Sequence, residues 1–264
     1  MFTVTAAQLN AWLIIFIWPF VRILALLSTD PIFGNRAVPG RIKIGAAILL
    51  TLVLIPTLGP PPPVELGSAS GMLILMQQII IGVAMGLVMR IVFSAVEMAG
   101  NLAALQMGLG FATFFDHFSA AQVPVIGQFT GLLAILMFLS TNGHFVVLTA
   151  LSESFYTLPI TAQPLSAQGW RTVAEWGGEI FRAGVWISLP IVAALLITNL
   201  ALGIMTRAAP QLNIFAVGFP LTIFAGFFLL YLTLPFIPPL FERLWTDGIG
   251  TALEVFRQAR PSAP

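Results

Sequence analysis

Apolar residues run along this chain in six long blocks, each closed by a short stretch rich in proline, glycine or charge. The blocks extend from about Ala11 to Leu27, Ile42 to Leu58, Met72 to Leu105, Val125 to Leu151, Ile180 to Thr206 and Ile214 to Leu240. A helix needs roughly 20 apolar residues to cross about 30 Å of hydrocarbon, and all six approach or exceed that length. The third holds 34 residues, about 50 Å at 1.5 Å per residue, so it must tilt, break or continue beyond the bilayer. The two-residue alternation of a membrane β-barrel is absent. The pattern therefore predicts an all-α membrane protein with about six long hydrophobic helices.

The punctuation is equally plain. "STDPIFGNRAVPG" and "GPPPPVELGSASG" are turn sequences, and "LPITAQPLSAQGW" opens a longer polar connection. The first connection carries Arg36, Arg41 and Lys43, whereas the tetraproline connection has only Glu65. The positive-inside rule then places the first connection in the cytoplasm and the N-terminus outside. "MFTVTAAQLN" lacks the basic start of a cleaved signal, so the first block is expected to be a retained helix. From Glu242 to Arg260 charged residues alternate with Leu244, Trp245, Ile249, Leu253 and Phe256, which predicts an amphipathic helix facing the interface or a partner.

Composition agrees with the pattern: of 264 residues, 58% are hydrophobic and 8% charged, far from the roughly one-quarter charged content of a soluble domain. The net charge of +1 gives no global field for nucleic acid or acidic substrates. With no cysteine, disulfides, thiolate catalysis and Cys-based metal sites are excluded together. His117 and His144 belong to no metal or nucleophile signature, and no phosphate-binding loop is present. Charges within apolar blocks carry more information, because an ion in hydrocarbon is costly unless paired or snorkelling. Arg22, Arg90 and Glu97 are the three. Arg90 and Glu97 share a helical face but lie about 10.5 Å apart along the axis, so each needs a partner elsewhere, on another subunit or in water. Gly82 with Gly86 and Gly127 with Gly131 form two G-x-x-x-G patterns, which predict close helix packing.

One connection differs from the rest. "QMGLGFATFFDHFSAAQVP", residues 106–124, sets Phe111, Phe114, Phe115 and Phe118 at helical spacing, with Thr113, Asp116 and His117 off that stripe. Gly108 and Gly110 precede it and Pro124 follows it. An irregular backbone there must be enclosed by protein or line a cavity, where aromatic rings make a dewetting constriction. The same spacing also suits an amphipathic helix lying in the interface.

The run "GIMTRAAPQLNIFAVGFPLTIFAGF", Gly203 to Phe227, resembles the signature of the FliR family of flagellar export-gate proteins, which has SctT-type counterparts in virulence secretion. "NLAALQMGLGFATFFD" and "FVRILALLSTDPIFGNRAVPGRIKIGAA" resemble the same family. The resemblance implies a non-enzymatic subunit without cofactors, in the bacterial inner membrane at the flagellar basal body, with part of the assembly in the periplasmic space. It implies assembly with FliP and FliQ into a helical export gate joined by FlhB, through which unfolded flagellar proteins pass. A FliP-like part, residues 1–179, would precede a FliQ-like hairpin, residues 180–241, and the tail, 242–264. Gly108, Gly110, Phe111, Ala112, Thr113, Phe114, Phe115, Asp116 and Phe118 match the family's plug loop; "DHFSAAQ" departs from its frequent Asp-Pro. Arg207, Pro210, Gln211 and Asn213 would form the cytoplasmic hairpin tip that contacts partners. Arg90 and Glu97 would pair between subunits. The flagellar branch is expected over the virulence branch, and a small-solute transporter is the more distant alternative.

Overall fold

The computed structural model describes residues 6–60, 62, 64–111, 125–163, 166–210 and 214–259, and among them every regular element is helical. In chain order these are α1 (Ala6–Thr29), α2 (Gly40–Leu54), α3 (Ala69–Gln106), α4 (Val125–Ser140), α5 (Gly143–Thr157), α6 (Ala167–Trp176), α7 (Glu179–Ala208), α8 (Ile214–Thr233) and α9 (Ile237–Ala259). Five helical stretches among the described residues are long and apolar enough to cross a membrane, and six if the bent pair α4 and α5 counts as one.

The third block is one unbroken helix of 38 residues, about 57 Å long at 1.5 Å per residue. The fourth block, expected as a single span, is instead broken into two helices, α4 and α5. Asn142 sits at φ 57°, a left-handed conformation that ends a helix and that Asn tolerates better than most residues. The sixth block also stops early. α8 ends at Thr233, a 3-10 turn containing Pro235 follows, and α9 starts at Ile237 with Pro238 and Pro239 in its first turn. Proline lacks the N–H that a helix interior needs, but a first turn has no use for that donor.

Contacts group the chain into two compact units. The first takes the described residues of Met1–Ile91, Asn142–Gly177 and Trp245–Pro264; the second takes those of Val92–Thr141 and Gly178–Leu244.

In the first unit, α1 packs on α2, and α3 approaches α1 through its two glycines. A Cβ at Gly82 would overlap the Arg22 carbonyl and Ala25, and one at Gly86 would overlap the Thr29 side chain. The G-x-x-x-G pair is thus a helix contact, as its spacing predicts. The C-terminal helix corrects a different expectation. Trp245, Ile249, Ala252, Val255, Phe256 and Ala259 are buried within the chain itself, so this apolar face is not left for lipid or a partner. Gly169 of α6 lies against Val255 and Ala259, the Ser166 N–H donates to the Ala259 carbonyl at 3.0 Å, and the Thr172 hydroxyl donates to Gln258 Oε1 at 2.5 Å.

In the second unit, α4 lies on α3 through the other glycine pair. Gly127 faces the Asn101 side chain, Gly131 faces the stem of Glu97, and Gly100 faces Thr130. Thr130 Oγ1 reaches the Val96 carbonyl across the contact at 3.2 Å. Phe93 packs edge-on against Phe138 and Phe241, with centroids at 5.5 and 5.3 Å. α7 and α8 pack together as a helical hairpin. Ala103, Met107, Ile126, Ile191, Leu195 and Leu230 form a buried core joining α3, α4 and the hairpin.

Candidate functional site: the anchored base of the aromatic segment

The last turn of α3 is closed by local bonds. The Met107 N–H donates to the Ala103 carbonyl at 2.9 Å and the Gly108 N–H to the Leu105 carbonyl at 3.1 Å. Gly108 then adopts φ +82°, the left-handed conformation that glycine takes at a helix C-terminus without a Cβ penalty. A short 3-10 turn, Leu109–Phe111, leads away from it.

Four contacts clamp this turn to the hairpin. The Met107 side chain, fully buried, fills the space over Gly226 of α8, where any Cβ would overlap its Cγ and Sδ. Thr222 Oγ1, one turn earlier on α8, lies 3.2 Å from the Met107 carbonyl and supplies a donor to a group the helix end leaves unpaired. Phe219 lies 3.4 Å from where a Cβ on Gly108 would stand. From α7, Asn199 Nδ2 reaches the Gln106 carbonyl at 3.4 Å. The far end of the segment is fixed as firmly: Ile126 belongs to the same core as Met107, and Gly127 sits on Asn101. The chain therefore enters and leaves residues 112–124 from one packed body.

The sequence-derived site residues distribute as follows. Gly108 and Gly110 lie at this base, and the backbone of Phe111 ends the 3-10 turn. Ala112, Thr113, Phe114, Phe115, Asp116 and Phe118 lie outside the described residues, as does His117. Arg207 occupies the exposed last turn of α7, where a cation complements the negative end of the helix dipole. Pro210 is exposed beyond it, while Gln211 and Asn213 lie outside the described residues. Arg90 and Glu97 are both exposed on α3. Met107, Thr222 and Gly226 were not singled out by sequence reasoning; a glycine inside the aromatic run "IFAGFFLL" was the available signal.

The first unit has its own polar centre. Arg22 is completely buried. Its Nε donates to Gln78 Oε1 at 2.7 Å, Nη1 to the Ser154 carbonyl at 2.9 Å, and Nη2 to the Leu158 carbonyl at 2.9 Å. Its guanidinium also stacks 4.2 Å from the Phe155 centroid. Among the described residues no carboxylate lies within ion-pair distance of it. The negative charge it meets is the partial charge of carbonyls at the C-terminal end of α5. Asp30, just past the end of α1, caps the following turn by accepting from the Ile32 and Phe33 N–H groups at 2.8 and 2.9 Å. Burial raises its carboxyl above the ordinary value, and these two bonds oppose the rise.

Bilayer-length helices, a buried cation satisfied by helix-end carbonyls, and a packed base under an aromatic segment define an all-helical integral membrane protein. Its relatives are narrower in kind. The family model "Bacterial export proteins, family 1" matches residues 13–248. The flagellar biosynthetic protein FliR of Pectobacterium carotovorum subsp. carotovorum is 45% identical over 262 residues, covering 99% of this chain and 100% of that protein. FliR of Escherichia coli (strain K12) is 42% identical, covering 98% of each. FliR of Bacillus subtilis (strain 168) is 36% identical, covering 81% of this chain and 84% of that protein. The chain belongs to the FliR family of bacterial flagellar export proteins.

Proposed function

We propose that this chain is a channel subunit of the flagellar type III export gate in the bacterial inner membrane, with part of its assembly in the periplasmic space. It assembles with FliP and FliQ homologues, meets an FlhB homologue at the Arg207 to Asn213 tip, and passes unfolded flagellar proteins. The segment from Gly108 to Phe118 closes the pore with its phenylalanines. Arg90 and Glu97 form charge pairs with neighbouring subunits. The flagellar branch is favoured because the relatives named above are flagellar.

The observation that supports a plug is the clamped base. A closure that opens and reseals needs ends that stay in place while the middle moves, and Met107 in the Gly226 recess with Ile126 in the same core supplies such ends. Removing Gly110 to Phe115 cuts the end of the 3-10 turn but keeps Met107, Gly108 and Ile126, which make the clamp. The expected outcome is a complex that still assembles, seen by co-purification, but that leaks ions or small molecules in a permeability assay. A deletion complex as tight as the parent would overturn the plug assignment.

A further inference from the structure

The α1–α2 pair carries a surface whose dimensions and chemistry are those of a lipid-facing wall. Only 11% of the stretch Gly40–Thr57 is buried, against 67% of an 18-residue apolar window within Ala69–Gln106. On α2 only Ala47 and Thr51 are buried, while Ile42, Leu49, Leu52 and Val53 stand outward, the last at 70% exposure. The 18 residues of that stretch cover about 27 Å at 1.5 Å per residue, close to the roughly 30 Å of a hydrocarbon core.

The two ends of this surface differ in chemistry. At the start of α2 stand Arg36 and Arg41, both exposed, and Lys43, half-buried. Among the described residues none of the three has a carboxylate partner. The chain has no acidic residue between Asp30 and Glu65, and the Asp30 carboxylate is buried on its own turn. That turn is closed by further bonds, including the Gly34 N–H to the Asp30 carbonyl at 2.7 Å and the Ala37 N–H to Asn35 Oδ1 at 2.9 Å, so Arg36 projects from a built turn, and Arg41 and Lys43 follow in the first turn of α2. The opposite end carries exposed Tyr156, whose hydroxyl donates to the Thr57 carbonyl at 2.7 Å. Because α2 folds back on α1, exposed Trp12 near the start of α1 belongs to that same end. Tyr and Trp favour the boundary between hydrocarbon and headgroups.

We propose that the outer face of α1 and α2 is a lipid contact one hydrocarbon thickness deep, and that Arg36, Arg41 and Lys43 seat the headgroup of an acidic phospholipid at one edge. A protein partner over the same apolar face would have no use for three unneutralised cations at one end and two amphipathic aromatics at the other, whereas a bilayer matches both. The proposal concerns the first unit alone and stands whether or not residues 112–124 close a pore.

Two measurements on the full-length protein, purified with its bound partners and reconstituted in vesicles of phosphatidylglycerol and phosphatidylcholine, test it. The chain has no cysteine, so a nitroxide on a single Leu49→Cys reports one place. The label is expected to be open to oxygen and closed to a polar relaxation agent; a label shielded from both means that protein covers the face, and overturns the proposal. The second measurement is the ratio of co-purifying phosphatidylglycerol to phosphatidylcholine. It should fall about fivefold for each cation removed among Arg36→Gln, Arg41→Gln and Lys43→Gln, the factor equivalent to about 1 kcal/mol per charge. Charge-keeping Arg36→Lys and Arg41→Lys should hold it near the parent value. A ratio unmoved by the neutral variants overturns the headgroup seat.

Discussion

The two compact units solve the same problem by opposite means. Each must fix the end of a helix in apolar surroundings, where unpaired backbone carbonyls are costly. The first unit uses a charge: Arg22 reaches across to the Ser154 and Leu158 carbonyls at the end of α5 and to Gln78 on α3. The second uses small residues and close contact: Gly108 turns the chain, Met107 fills the recess over Gly226, and one threonine hydroxyl meets the Met107 carbonyl. A charged pin bonds in fixed directions and tolerates no neutral replacement. A packed recess holds by shape, through contact without directional bonds. The Arg22 unit is thus anchored by charge and direction, and the base of residues 112–124 by fit.

The largest effect should follow from removing the pin. Arg22→Leu keeps the bulk but leaves the Ser154 and Leu158 carbonyls and Gln78 Oε1 without their donor. Leaving a buried acceptor unsatisfied costs about 1–3 kcal/mol for each group so orphaned, and three lose their donor here. The expected outcome is loss of the protein from the membrane fraction, or a much lower unfolding temperature in mild detergent. Arg22→Lys keeps the charge, but its three N–H donors leave from one atom and cannot span the acceptors that the guanidinium fork reaches from three nitrogens, so it should fall between parent and Leu. Equal stability of Leu and parent would erase the contrast between the two units.

The second prediction separates shape from chemistry. Gly226→Ala forces Met107 aside, and overpacking of this kind costs about 1–3 kcal/mol. Met107→Ala alone leaves a void over Gly226, at about 2–5 kcal/mol. Combined, the new methyl occupies part of the vacated space, so the double variant should be more stable than the sum of the singles by about 0.5–3 kcal/mol. Thermal unfolding of the four proteins measures the coupling directly. Additive losses would mean that Met107 and Gly226 do not share one recess. Permeability of the same four proteins then asks whether displacing the base also loosens the proposed closure.

Hydropathy located α1, α2, α3, α7 and α8, because 20-residue apolar blocks leave few alternatives. It joined α4 to α5, because "STNGH" is a polar break of five residues in an otherwise apolar stretch and its geometry depends on one left-handed Asn. Both G-x-x-x-G pairs were legible, since close helix approach needs missing side chains. The C-terminal helix was legible as amphipathic, but periodicity does not say what covers an apolar face, and here it is the chain itself. Arg22 stood out as a charge in an apolar block, yet its partners are carbonyls and an amide 56 to 136 residues away, which no local spacing encodes. For the same reason the aromatic segment was conspicuous while its clamp, made by α8 more than 100 residues later, was not.

The smallest expected effect concerns the turn that follows α1 in the first unit. Asp30 accepts two backbone N–H bonds directly after α1, and burial works against its charged form. Asp30→Asn keeps a carbonyl oxygen for the same two donors and removes the charge that burial opposes, so stability should stay within about 0.5 kcal/mol of the parent. Asp30→Ala removes the acceptor and should cost about 1 kcal/mol, as loss of a side-chain cap does. The informative result is the order of the two in thermal melts. Asn above Ala means the turn is held by hydrogen bonds and the charge is dispensable. Asn as low as Ala would mean that the carboxylate charge itself is needed there, and the first unit would then depend on a second buried charge besides Arg22.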